Sequence, residues 1–171
     1  MLKAFEENLK NIAVIDRGDF HAKVRERIGK KATPSLEKRL TNMILLLPKL
    51  LARAYRHNAR PEVPSDIKRL TGYALTYFYH PKDFIPEDNR HLFGYLDDAF
   101  YIGLLYERIL KSLIHAGCEL QEFDKAFLKQ FGLVKRSIKL TIPREASLIE
   151  GMIDNIQAGA EAALAEAFAQ S

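Results

Sequence analysis

Tyr77-Phe78-Tyr79-His80-Pro81-Lys82-Asp83-Phe84-Ile85-Pro86-Glu87-Asp88, followed by Gly94-Tyr95-Leu96-Asp97-Asp98, is the stretch on which the fold turns. Its first part is the aromatic end of a helix, then a turn bounded by two prolines. A residue before proline is pushed out of the α region, so this helix is expected to end at His80. The second part opens another helix with two adjacent carboxylates. Helices over 65–80 and 92–115 would then form a hairpin around which the rest of the chain packs.

Outward from that hairpin, the apolar spacing is helical. Ile67, Leu70, Thr71, Ala74, Tyr77 and Phe78 form one stripe behind Ser65, a capping residue. Leu92, Tyr95, Leu96, Ala99, Ile102, Tyr106, Ile109, Leu110 and Leu113 fall in one wide sector. Asp97, Glu107, Arg108 and Lys111 fall opposite, but Phe100, Tyr101 and Leu104 intrude there, which marks this helix as central. Thr33-Pro34 is an N-cap followed by proline at the first helical position, and it opens a flanking helix over 35–57. Pro48 is expected to kink or split that helix. Two short helices lead the chain: one over 2–15 ended by Gly18, the next capped by Asp19 and stopped by Gly29. A helix over 120–131 is expected to stop at Gly132, and a last flanking helix over 144–169 follows Pro143. Between them, residues 134–142 alternate apolar and polar, which predicts an extended segment lying on the helices or pairing with a second copy. The expectation is an all-α compact bundle of six or seven helices in a single domain, 1–171, with one extended segment near 134–142.

A single cysteine, Cys118, excludes an internal disulfide framework, and no CxxC or CxxH spacing suggests zinc. There is no EF-hand, no HExxH and no glycine-rich phosphate loop. Ser112, Ser137 and Ser147 lack the glycines of a nucleophile elbow. No apolar run is long enough to span a bilayer, and acids stand near the N-terminus where a signal peptide would be apolar. The expected location is the cytoplasm, or the periphery of the inner face of the membrane. The net charge is +4, unevenly spread. Residues 1–60 carry 14 Lys and Arg against 6 Asp and Glu, whereas 61–171 carry 12 against 16. Lys23, Arg25, Arg27, Lys30 and Lys31 form a basic patch that would attract nucleic acid or an anionic membrane surface; it would serve equally as a solvated helix face.

The acids are the other candidates. Asp83, Asp97 and Asp98, with Glu87 or Asp88, make an oxygen-rich set suited to a divalent cation. The commoner use of such acids is as helix caps and as partners for Arg69, Arg90 or a tyrosine hydroxyl. Asp98 falls at the edge of the apolar sector, where an ionised carboxylate needs a partner. His80 and His91 flank the turn. With carboxylates they would suit zinc or iron, though histidines at helix ends more often cap or face solvent.

These motifs resemble the YkvA-like family, a domain of unknown function. The likeness covers about residues 43–115 and rests on the aromatic helix end, the Pro81-to-Pro86 turn and Gly94-Tyr95-Leu96-Asp97-Asp98. The chain has one more residue between Pro86 and Gly94 than the family pattern, and Glu87 stands where the family has Asp. The resemblance implies a small helical protein in which Pro81, Pro86, Gly94 and Tyr95 are structural motif residues, and Asp83, Asp97 and Asp98 match position by position. It implies no activity. The resulting expectation is a non-enzymatic interaction or regulatory module with a protein partner or self-association. The alternatives are a divalent-cation-binding protein or hydrolase built on Asp83, Asp97 and Asp98, or a nucleic-acid or anionic-membrane binder using the basic N-terminal third.

Overall fold

Seven helices run through the described residues of the computed structural model, which are 2–78, 85 and 91–158. They are α1 (Leu2–Ile15), α2 (Arg17–Ile28), α3 (Pro34–Asn58), α4 (Ser65–Phe78), α5 (Leu96–His115), α6 (Glu122–Thr141) and α7 (Pro143–Gln157). Short 3-10 turns at Gly29–Lys31 and Leu92–Tyr95 precede α3 and α5. No strand occurs among the described residues, and none of their helices is long and apolar enough to cross a membrane.

The centre is α5, as its apolar surround predicts. Leu96 to Tyr106 is buried without a break, including Phe100, Tyr101 and Leu104 on the side that the wheel makes polar. It packs on α4 as the hairpin requires, but more extensively on α3, and α6 and α7 close the remaining sides. The tightest point is Gly103, where a Cβ would meet Phe131 Cε2 at 2.5 Å and Met43 Cε at 2.6 Å. A side chain there would force the Phe131 ring and the Met43 methyl to shift.

Local signals set several of the boundaries. Thr33 caps α3, its hydroxyl accepting from the Leu36 amide at 3.3 Å. Gly29 and Gly117 take positive φ (57° and 75°), which ends α2 and α5. After Gly117 the Cys118 amide turns back to the Leu113 carbonyl at 2.9 Å. Pro48 does not split α3, which runs on to Asn58 with Pro48 buried inside it. Gly18 and Asp19 lie inside α2, and Asp16 is the junction residue. Helix α7 ends at Gln157 with Ile149, Met152, Ile153 and Ile156 buried; the rest of the helix expected over 144–169 falls, beyond Ala158, outside the described residues.

The extended segment at 134–142 is corrected: α6 is one helix through Gly132 to Thr141. Phe127, Phe131, Ile138 and Thr141 form its buried stripe at helical spacing, while Leu133 and Leu140 stay exposed. A mid-helix glycine costs about 1 kcal/mol relative to alanine. Burying the side chains on either side of it outweighs that. The hydroxyls of Ser137 and Thr141 donate to the carbonyls of Leu133 and Ser137, so neither competes with the helix.

Candidate functional site

The predicted acidic set divides. Asp83, Glu87 and Asp88, together with Pro81, Pro86 and His80, lie outside the described residues. Asp97 is corrected from the polar face to the interior, with no exposure at all. The 3-10 turn holding Gly94 and Tyr95 leads directly into α5, whose first turn is buried, and Tyr95 packs on Phe5 with ring centroids 6.0 Å apart. Asp97 Oδ2 accepts from the Ile85 amide at 2.9 Å, and Oδ1 accepts from the Asp98 amide at 3.0 Å. It therefore ties Ile85 to the start of α5. Asp98 is buried beside it.

A second buried acid serves the same region. Asp16, between α1 and α2, accepts from the Leu92 amide at 2.6 Å through Oδ2, and its Oδ1 lies 3.1 Å from His91 Nδ1. Asp19 Oδ2 is 3.9 Å from the same nitrogen. Asp16, Asp19 and His91 could offer a metal one ligand each. Both oxygens of Asp16 are already engaged with Leu92 and His91, and Asp19 is mostly exposed. This arrangement is a latch between the first two helices and the entry to α5.

The third buried acid is Asp124, in the first turn of α6 with no exposed surface. Its Oδ1 accepts from Tyr106 Oη at 2.6 Å, from Arg53 Nε at 2.9 Å and from Arg53 Nη2 at 2.5 Å. Arg53 also donates to Tyr106 Oη at 2.8 Å and to Gln121 Oε1 at 2.8 Å. Arg53 and His57 share a face of α3, and His57 Nε2 is 3.4 Å from Asp124 Oδ2. Burial works against the Arg53 charge, but its bonds to Tyr106 and Asp124 more than offset that and raise its pKa. Burial lowers the His57 pKa most; Asp124 opposes this, and Arg53 and Arg60 add to it. Burial first, and then donation to Asp124, raise the Tyr106 phenol well above its ordinary value. Sequence reasoning missed this network. The available signal was one acid standing four residues after Leu120 on the apolar stripe that continues through Phe127 and Phe131.

Lys23, Arg25, Arg27, Lys30 and Lys31 are all exposed, on α2 and the 3-10 turn after it. Arg27 pairs with Glu145 at 3.1 Å and lies 5.8 Å from the Phe93 ring centre. The other four make no ion pair among the described residues.

Compared with known proteins, the chain matches no protein-family model, no curated sequence and no solved structure. The resemblance to the YkvA-like family therefore rests on the motif residues alone.

Proposed function

We propose that the protein is a non-enzymatic interaction module whose buried carboxylates hold the fold together and whose exposed cations meet the partner. The observation that carries this reading is the division of charge. Asp16, Asp97 and Asp124 each accept hydrogen bonds from donors in this chain. Lys23, Arg25, Lys30 and Lys31 stand in solvent without an acidic partner among the described residues. Kinship of residues 43–115 with the YkvA-like family belongs to the same proposal and brings no reaction with it. Thermal melting after a chelator wash separates module from metal site. The melting temperature should be unmoved by Ca²⁺, Mg²⁺ or Mn²⁺. A rise that Asp97→Asn abolishes would replace the module with a cation-binding protein.

The α2 cations favour an anionic surface as the partner. Duplex DNA and phosphatidylserine vesicles are suitable probes. If about four phosphates are neutralised, affinity falls about 10²-fold between roughly 50 and 200 mM salt. No binding to either probe at low salt would remove the anionic surface and leave a protein partner.

A further inference from the structure

Arg53, Arg56, His57 and Arg60 recur at the i, i+3, i+4, i+7 spacing that places residues on one face of a helix, at and just beyond the end of α3. With Gln121, at the N-terminal boundary of α6, they line an open cavity of about 240 Å³. None of the five is apolar, and three carry permanent charge. Arg53 is held by Tyr106, Asp124 and Gln121 through Nε and Nη2, which leaves Nη1 without a protein acceptor among the described residues. Arg56 donates only Nε, to the Ala52 carbonyl at 3.3 Å. Arg60 Nε lies 3.4 Å from Glu62 Oε2. The cavity thus gathers guanidinium N–H groups that the fold itself does not use.

We propose that this cavity binds a phosphate group, gripped by Arg53, Arg56 and Arg60, and that binding draws a proton from solvent onto His57. The site is independent of the α2 cations, which sit near the start of α3, about 35 Å away along that helix at 1.5 Å per residue. The free Nη1/Nη2 pairs of Arg56 and Arg60 together with Arg53 Nη1 suit a tetrahedral dianion; a carboxylate, with two oxygens, would leave some of these donors idle. The volume lies below the range for a whole drug-sized ligand, so it fits a phosphate head and its first substituent.

The proton follows from what faces His57. Arg53 and Arg56 come from α3, Arg60 with Glu62 from the loop after it, the Tyr106 phenol from α5 and Asp124 from α6. Arg53 and Arg60 join burial in keeping the imidazole neutral. An entering anion offsets those arginines and adds negative charge of its own. The imidazolium can then donate from Nε2 to Asp124 Oδ2, a buried oxygen that otherwise has no hydrogen bond among the described residues.

The test is a proton NMR titration of the His57 ring in the full chain, with inorganic phosphate, sulfate, and phosphatidylcholine vesicles with and without phosphatidic acid. Sulfate keeps its charge through the range in which His57 titrates. It should raise the His57 pKa by about half a unit or more and bind about threefold or more tighter at low pH than at high pH. Arg56→Gln with Arg60→Gln, both away from Asp124, should lose about tenfold in affinity with an unchanged melting temperature. Lys30→Gln with Lys31→Gln should bind phosphate as the wild type does, which separates this site from the α2 surface. A response to free phosphate identifies a soluble phosphorylated ligand, and a response only to phosphatidic acid identifies a lipid headgroup. An unmoved His57 pKa with all probes, or an equal response from the Arg56/Arg60 variant, would overturn the proposal.

Discussion

The entry to α5 and the far end of α3 both bury carboxylates, but the donors that receive them differ. At α5, Asp97 and Asp16 accept from the backbone amides of Ile85 and Leu92, with the His91 ring as a further neighbour of Asp16. At α3, Asp124 accepts from the side chains of Arg53 and Tyr106, beside an open cavity. A backbone donor cannot leave without unfolding its segment. A side-chain donor can rotate, exchange partners and feel a ligand. The first region is built as a fastening and the second can respond to its surroundings.

The largest effect should come from breaking the side-chain end. Asp124→Ala would leave Arg53, whose side chain is only 11% exposed, without its counter-ion, and Tyr106 without its acceptor. Removing one member of a buried pair costs about 3–5 kcal/mol, which a denaturant midpoint would show. Asp97→Asn keeps the oxygen that meets Ile85 but removes the charge, and should cost about 1–3 kcal/mol by the same measurement. If the two losses come out equal, backbone and side-chain neutralisation are equivalent here and the contrast fails.

Acidity sharpens the comparison. The folded His57 pKa lies below its ordinary value, so the unfolded chain binds the extra proton first. Stability is then lost as pH falls from about 6.5 through the folded pKa, and it is unaffected by this group above that window. Melting curves of wild type and His57→Gln should converge in this interval, with the variant showing the shallower decline. The smallest effect should come from the α2 surface. Lys30→Gln with Lys31→Gln should change stability by no more than about 0.5 kcal/mol while weakening any binding to DNA or anionic vesicles.

The helices were legible where the signal was continuous. The wide apolar sector of α5, the Thr33 cap and the Gly29 stop read correctly because each acts within a turn or two of itself. The reading of α6 failed because Gly132 looked like a stop and cut the window in two. The second piece was too short to display a helical period, and its alternation passed for a strand. Asp97 was misplaced because a wheel has no knowledge of distant partners such as the Ile85 amide, which meets the start of α5. Asp124 was visible as an acid in an apolar stripe, but its partner Arg53 lies 71 residues away, a pairing that only packing reveals.

The bond from Asp16 to the Leu92 amide has a consequence for how the chain is made. It joins residues 76 apart in sequence. At roughly 5–20 residues per second, the ribosome adds that length in about 4–15 s. Throughout this interval the Asp16 carboxylate has no Leu92 amide to meet and stays in water. The Asp16 latch therefore closes only after the entry to α5 has emerged, whereas the packing of α1 on α3 needs nothing beyond α3 and can form earlier.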